Sequence, residues 1–358
     1  MKRRSVHRSR HRTLLALLLA GSLPAAGAES HRLLQLSLEE LFQVKVTSVD
    51  KTAQSFEDIP AAVFVISAEE IRRSSATSLP ELLRLAPGVD ARQIDASHWA
   101  VSIRGFNSEF SDKLLVLVDG VSVFSSLFSG VHWDELDMDL AEIERIEVIR
   151  GPGATTWGVN AVNGVINIIT RRADAGDSNR LSVAYGDNLR PLASLSHSGR
   201  LGNTLDYRVN AYFRRNGNSD GLTDRGDLAA DDDWLNRRIE LHGDLNLPGD
   251  DQLSLIVRGW NSQRRQISEQ FSPVAPIRSH PHGGAETKGG TALLRLQQQG
   301  DNRSQQWQVY VDARDRDGPR INSSDKTIDL EFTQNLSLSG GSERVWGVGY
   351  RRLRNHTE

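Results

Sequence analysis

Two patterns of hydrophobic and polar positions divide the chain. From Ser37 to about Arg172, short apolar runs such as AAVFVIS (61–67) and KLLVLVDG (113–120) alternate with stretches of helical period. In SAEEIRRSSA, Ser67 and Glu70 stand at the spacing of a reciprocal capping box. In SLPELLRLAPGV, Ser78 precedes an early proline, the leucines recur at helical spacing, and Pro87–Gly88 supplies a stop. After Arg172 the helical period vanishes and period two takes over. Tyr207, Val209, Ala211 and Phe213 share one face, and Arg208, Asn210, Tyr212 and Arg214 the other. Ile239, Leu241, Leu245 and Leu247 oppose Glu240, His242, Asp244 and Asn246, and 328–338 repeats the pattern. Each segment predicts a strand with one apolar and one strongly polar face.

A soluble sandwich gives the same alternation with its polar face in water. Connection lengths favour a membrane barrel instead. Tight turns (LGN at 201–203, LPGDD at 247–251, QGDN at 299–302, SGGS at 339–342) alternate with longer polar links at 216–233, 268–290 and 317–324. Outer-membrane barrels have short turns at one end and long loops at the other. From Arg180 to Asn355 the pattern predicts about nine strands, whereas bacterial single-chain barrels use an even number. An open sheet in lipid leaves unpaired backbone groups, each costing several kcal/mol. The expected fold is therefore an α+β domain followed by an incomplete antiparallel transmembrane β-barrel, the N-terminal portion of a longer protein or a truncated product.

The remaining composition narrows the chemistry. MKRRSVHRSRHR, TLLALLLAGSL and PAAGA have the basic, apolar and small-residue order of a secretory signal peptide, with cleavage expected after Ala28. No later apolar run approaches the ~20 residues of a membrane helix. The net charge of −3 gives no broad basic field for nucleic acid. Cysteine is absent, which excludes disulfides, thiolate metal sites and thiol catalysis. There is no HExxH motif, nucleophile elbow or convincing carboxylate pair, so neither an enzyme nor a cofactor is expected.

The stretch IERIEVIRGPGATTWGVNAVNGVINIIT (143–170) sets glycines between two strand-like runs. It lacks both the GxGxxG and the Gly-Lys-Ser/Thr patterns, and no helix N-terminus follows to face a phosphate. It resembles the end of the plug domain of TonB-dependent outer-membrane receptors. Going backwards, LLVLVDGVSV (114–123) resembles that family's Val-Asp-Gly strand, SIRGF (102–106) its Ile-Arg-Gly motif, and 58–90 its first plug segment. VKVTSVDK (44–51) looks like its TonB box. Together these motifs cover nearly all of 44–170. The resemblance implies a plug seated inside a ~22-stranded barrel, with Arg104 and Arg150 buried against barrel glutamates. Glu240 and Glu331 face the right way for that role. Gly105, Asp119 and Gly120 belong to the matched plug motifs, and Gly151, Pro152, Gly158, Asn163 and Gly164 then serve turns and close packing.

The implied organisation is a signal peptide (1–28), an N-terminal segment with the box (29–57), a plug (58–172) and a partial barrel (173–358). The box, Val44, Lys45, Val46, Thr47, Ser48 and Val49, is short and β-prone, suited to adding a strand to a partner's sheet edge. Composition alone favours the plug's first strand for this segment, and the resemblance reverses that order in favour of the box. By analogy, DASHWA (95–100) and FSSLFSGVHW (124–133) face the ligand, with His98, Trp99, Phe128, His132 and Trp133 as candidates. His280 and His282 lack a third metal ligand beside them, and the acidic run 133–144 reads as a solvated or arginine-paired helix rather than a calcium site. The function implied is active uptake of a scarce solute across the Gram-negative outer membrane. The solute would be a ferric siderophore or other metal chelate, and the inner-membrane TonB protein and outer-membrane lipid would be the partners. A passive porin-like or adhesion barrel, a secreted β-rich enzyme and a non-functional truncated receptor are the alternatives.

Overall fold

The structure is a computed structural model describing residues 45–46, 54–55, 62–151, 160–173, 178–219, 232–249, 251–267, 270–271, 278–279, 282–319, 321–338 and 342–358. The signal-peptide stretch, Val44, Thr47, Ser48 and Val49 of the box, and Pro152 and Gly158 lie outside the described residues. No described helix is long and apolar enough to cross a membrane.

Strand β1 (Lys45–Val46) pairs antiparallel with β2 (Gln54–Ser55). A mixed five-stranded sheet follows, built from β3 (Ala62–Ser67), β6 (Leu114–Val118), β7 (Val121–Ser122), β8 (Ile143–Arg150) and β9 (Gly164–Thr170), in the order β3-β8-β9-β6-β7. Its one parallel pair is β6 with β9. Between β3 and β6 lie α1 (Ala68–Arg73), α2 (Leu79–Leu83) and a hairpin of β4 (Val89–Gln93) and β5 (Trp99–Ile103). The Ser67 capping box forms as the sequence predicts, with Glu70 accepting from the Ser67 N–H at 2.8 Å. At α2, Glu81 accepts from the backbone N–H groups of Thr77 (2.6 Å) and Ser78 (3.2 Å). The central strands are near-continuous runs of Val, Ile and Leu because both sheet faces are covered. Ile66, Leu82, Leu83, Val116, Ile146 and Ile166 form the heart of the core at 0% exposure. Each such side chain contributes about 1.5–3 kcal/mol.

The second sheet contains β10 (Ser178–Ala184), β11 (Leu189–Leu201), β12 (Leu205–Asn216), β13 (Trp234–Asn246), β14 (Gln252–Ile267), β17 (His282–Gly300), β18 (Arg303–Asp317), β19 (Ser323–Ser337) and β20 (Glu343–Thr357). A small hairpin of β15 (Gln270–Phe271) and β16 (Arg278–Ser279) sits in the link between β14 and β17. The nine strands pair antiparallel in chain order and leave the sheet unclosed. Register turns the period-two pattern into rows. Val209, Leu241, Val257, Ala292, Val311 and Ile328 are successive partners across six strands, forming an apolar band on the face away from the plug. One residue along, Arg208, His242, Ile256, Leu293, Tyr310 and Asp329 form the next row on the opposite face. The apolar band is open (Ile239 58%, Leu330 44%) while Arg208 and Glu240 are buried. That inversion of the soluble arrangement is what a wall between lipid and a polar lumen requires. Near the short-turn end Trp307, Phe332 and Trp346 pack in a row, the first pair tilted and the second T-shaped, with centroids 4.3 and 5.2 Å apart.

One expectation is corrected here. Residues 133–144 do not form a helix; they run as turns and extended chain with one 3-10 turn at Leu140–Glu142. Trp133, Leu136 and Met138 enter the core, which forces the acids between them outward. Successive acidic and apolar residues are better separated by an extended chain than by a helix, whose face would mix them.

Candidate functional site

The acidic run is the seam between the two sheets. Its carboxylates point at arginines on the inner face of the wall, and the arginine-paired reading of the run is the one observed. Asp134 meets Arg264 of β14, and Glu135 meets Arg316 of β18 with Arg314 at 3.8 Å. Asp137 accepts from Arg214 (3.2 Å) and from the Tyr212 hydroxyl (2.9 Å) of β12. Asp139 pairs with Arg180 of β10 at 2.6 Å and accepts from Asn210 at 3.2 Å. Glu142 meets Arg180 at 2.5 Å and Arg208 at 3.4 Å. All five acids are buried, so these are desolvated charges held by matched partners. Burial lifts the Asp137 carboxyl above the usual range, more than Arg214 and the Tyr212 and Asn236 side chains draw it down.

The Val-Asp-Gly motif makes a second attachment. Asp119 (φ 52°) and Gly120 (φ 82°) form the two-residue turn that joins β6 to β7, a hairpin type with positive φ at both positions. The Asp119 carboxylate accepts from Thr170 N (2.9 Å) and Thr170 Oγ1 (2.7 Å), and pairs with Arg258 of β14. Arg295 of β17 donates to the Asp119 carbonyl. Burial pushes this carboxyl up, but Arg258, His242 and the Thr170 bonds outweigh it and hold it below the usual range.

At the end carrying the longer links, two plug loops gather the ligand candidates. His98 Nδ1 bonds Asp95 at 2.6 Å, and Asp95 also accepts the backbone N–H groups of Ser97 and His98. The wall holds this loop in turn: Asp232 accepts from Ala96 N at 3.0 Å and Asn216 donates to the Ala96 carbonyl at 3.2 Å. Burial works against the Asp95 charge, yet His98 and the two amides bring it to about 2. Burial lowers and Asp95 raises the His98 pKa, with a net upward shift. Phe110, Phe128 and His132 form an aromatic cluster, with centroids 4.9–5.4 Å apart, and the Arg316 guanidinium lies 4.9 Å over Phe128. Burial first, then Arg316, pushes the His132 pKa well below the usual value, and among the described residues its buried Nε2 has no hydrogen-bond partner.

The remaining sequence-predicted residues fall differently. Trp99 and Trp133 are 6% and 5% exposed, within the main core cluster. Arg84 stacks over Trp99 at 5.2 Å. They support the loops from beneath rather than presenting a surface. Arg104 is exposed and donates to the Arg150 carbonyl at 3.2 Å, while Arg150 donates to the Pro87 carbonyl at 3.3 Å. Neither arginine forms an ion pair with a carboxylate among the described residues. Glu240 is engaged by Arg238, Arg258 and His242 of the wall itself, and Glu331 lines a cavity. Gly105 (φ 94°) and Gly151 (φ 139°) occupy backbone regions that favour glycine, and Asn163 bonds the Gly151 N–H and the Lys113 carbonyl through its backbone. Among the described residues no three metal-ligating side chains gather. His280 lies outside the described residues. Sequence reasoning passed over Asp95, Phe110 and the wall arginines as site residues. The only sequence signal was an acid-rich run directly behind an aromatic loop.

The two histidines titrate in opposite senses. His132 has a lowered pKa when docked, so its contribution is complete above the ordinary value near 6.5 and weakens as the pH falls below it. His98 has a raised pKa, so its contribution is complete below that value and is lost as the pH rises through the docked pKa. Between pH 7.5 and 5.5, hydrogen-exchange protection should fall across 125–133 and rise across 95–99. A parallel change in both loops would refute this assignment.

The sequence profile of the TonB-dependent Receptor Plug Domain matches residues 55–165. The vitamin B12 transporter BtuB of Vibrio vulnificus is 33% identical over 153 residues, 42% of this chain and 24% of that protein. Among solved structures, the ferric enterobactin receptor PfeA of Pseudomonas aeruginosa superposes with a TM-score of 0.65 at 20% identity, covering 84% of this chain and 49% of that one. The ferric-catecholate import receptor Fiu of E. coli gives 0.67 at 18% identity over 88% and 52%. These likenesses establish the fold, and the chain spans about half the length of the receptors it superposes on.

Proposed function

We propose that this chain, whose residues 55–165 match the TonB-dependent receptor plug profile and whose nine-strand sheet resembles a stretch of receptor barrel, is the N-terminal part of an outer-membrane importer for a chelated metal. The observation that carries the reading is the seam. Five buried acids of the plug are matched by arginines from β10, β12, β14 and β18, so the plug is fitted to the lumen and closes it at rest. The relatives include a vitamin B12 transporter, a ferric enterobactin receptor and a ferric-catecholate import receptor. The N-terminal 28 residues would direct export, and the short-turn end of the wall would face the periplasm.

In this reading solute binds near His98, Phe128 and His132, and residues 44–49 then engage TonB by adding a strand to its sheet. No nucleotide-binding motif stands in the sequence, so the work comes from that partner's pull. Val46→Pro, which removes a backbone donor from the segment, should abolish uptake of cyanocobalamin and ferric enterobactin while leaving surface binding of whichever is the substrate intact. Undiminished uptake would contradict the proposal.

A further inference from the structure

The seam is not uniform around the wall. Strand β17 presents small inward side chains at the outer levels: Thr287, Gly289 and Thr291. At the same levels β14 and β18 carry Trp260, Arg258, Arg314 and Arg316. The Trp260 indole lies over Gly289, in the space that any larger side chain would occupy. A void of about 20 Å³ persists there beside Val123, Glu135, Thr291 and Arg314. One level further in, Val121 of the plug packs on Ile256, Leu293 and Tyr310 of the wall, a buried apolar seal. Beyond the seal a cavity of about 540 Å³ opens toward the short-turn end, roofed by Asp119 and Gly120.

The cavity's wall side is rich in amides, with Asp244, Arg295 and Glu331 set among them. Gln297 bonds Gln306 (3.2 Å), Gln298 bonds Gln305 (2.7 Å), and Arg295 bonds Gln308 (3.0 Å). A primary amide offers a donor and an acceptor without net charge, so it can exchange a neighbour's bonds for a solute's and release them again. Such a surface suits passage of a polar chelate better than its capture. The roof is held from the wall by Arg258 and Arg295, and its Asp119 sits at a positive φ that non-glycine residues rarely adopt. The β10–β12 side is different, since Arg180, Arg208 and Arg214 hold three acids there.

We infer that solute crosses the plug–wall boundary along β17, past the Val121, Ile256, Leu293 and Tyr310 seal and into the amide-lined cavity, and that the Asp119–Gly120 turn is the part of the plug that withdraws to open it. This deepens the importer reading and rests on it. The test uses ion flow, which needs neither TonB nor the natural solute. In planar bilayers with potassium chloride, the full-length receptor should be nearly closed, and Arg295→Ala should raise its conductance by roughly fivefold. Gln308→Ala, which frees Arg295 from its wall partner, provides a second, milder opening should the first variant fold poorly. In either background, Gln306→Cys conjugated with a bulky polar maleimide should return conductance to the resting level. The same conjugate on Asn246→Cys, exposed at the short-turn end of β13 and outside the cavity, should not. Unchanged conductance in both variants, or open conductance unaffected by the Gln306 conjugate, would overturn the route. Loss of uptake in Val46→Pro would be unaffected by either result, so the two readings fail separately.

Discussion

Asp119→Ala is expected to free the β6–β7 turn from the wall and to lower the opening free energy of β6 and β9 by about 3–5 kcal/mol, the range for removing one partner of a buried ion pair. Three effects add. Arg258, 4% exposed, loses its plug carboxylate, and Thr170 loses acceptors for both its N–H and its hydroxyl. A positive φ tolerated by aspartate becomes strained for alanine. Asp119→Asn keeps the turn preference and the Thr170 acceptor but removes the charge, so it should show a clearly smaller loss. Native-state hydrogen exchange on the β6 and β9 amides reads both. Equal protection in wild type and Asp119→Ala would mean that the turn does not secure the plug.

Gly164→Val is the second large effect. Gly164 is pinned between Leu114 of β6 and Arg150 of β8. A Cβ there would lie 2.5 Å from the Ile149 carbonyl oxygen and 2.8 Å from Ile103 Cδ1. The carbonyl belongs to a paired strand and cannot retreat, so overpacking should cost about 3 kcal/mol. It should also render the plug susceptible to protease. The contrast is Gly202→Ala in the β11–β12 turn, where φ is 63° but nothing lies within 4 Å. There only backbone strain of about 1–2 kcal/mol is expected. Equal effects at the two sites would show that close approach is not what Gly164 provides.

What the sequence disclosed and what it withheld follow from the range of the interactions. Strand faces were legible because alternation is local: Arg208, Asn210 and Arg214 bury on the side opposite Val209 and Phe213. Helix starts were legible because Ser67 and Glu70 are three residues apart. Turn glycines were legible because motif and φ coincide at Gly120 and Gly151. The acidic seam was only half legible. Its charge suggested arginine partners, but those partners lie far along the chain, as Arg316 does from Glu135, and period alone could not tell a helix from extended chain. Trp99 and Trp133 show the other limit. An aromatic among serines and histidines has the composition of a binding surface, yet both indoles point into the core, and only tertiary packing decides between the two. The same holds for Arg104 and Arg150. The resemblance implied barrel glutamates as partners, but Glu240 is already committed to wall cations, and the two arginines bond backbone carbonyls instead.

The central claim is that the plug is seated against the polar inner face of the wall. The 358 residues contain no cysteine, so an engineered pair stands alone within them and the single variants report any other background. Asn236 of β13 donates to the Asp137 carbonyl at 3.1 Å. Asp137→Cys with Asn236→Cys, placed in the folded protein within outer-membrane fractions and treated with a short bis-methanethiosulfonate cross-linker, which forms a disulfide to each thiol, should join almost quantitatively. The product should run as a shifted band that reductant reverses, while either single variant stays unshifted. Absence of the shifted band in heat-modifiable, folded protein would mean that residues 134–142 do not lie against this wall, and the account would fail.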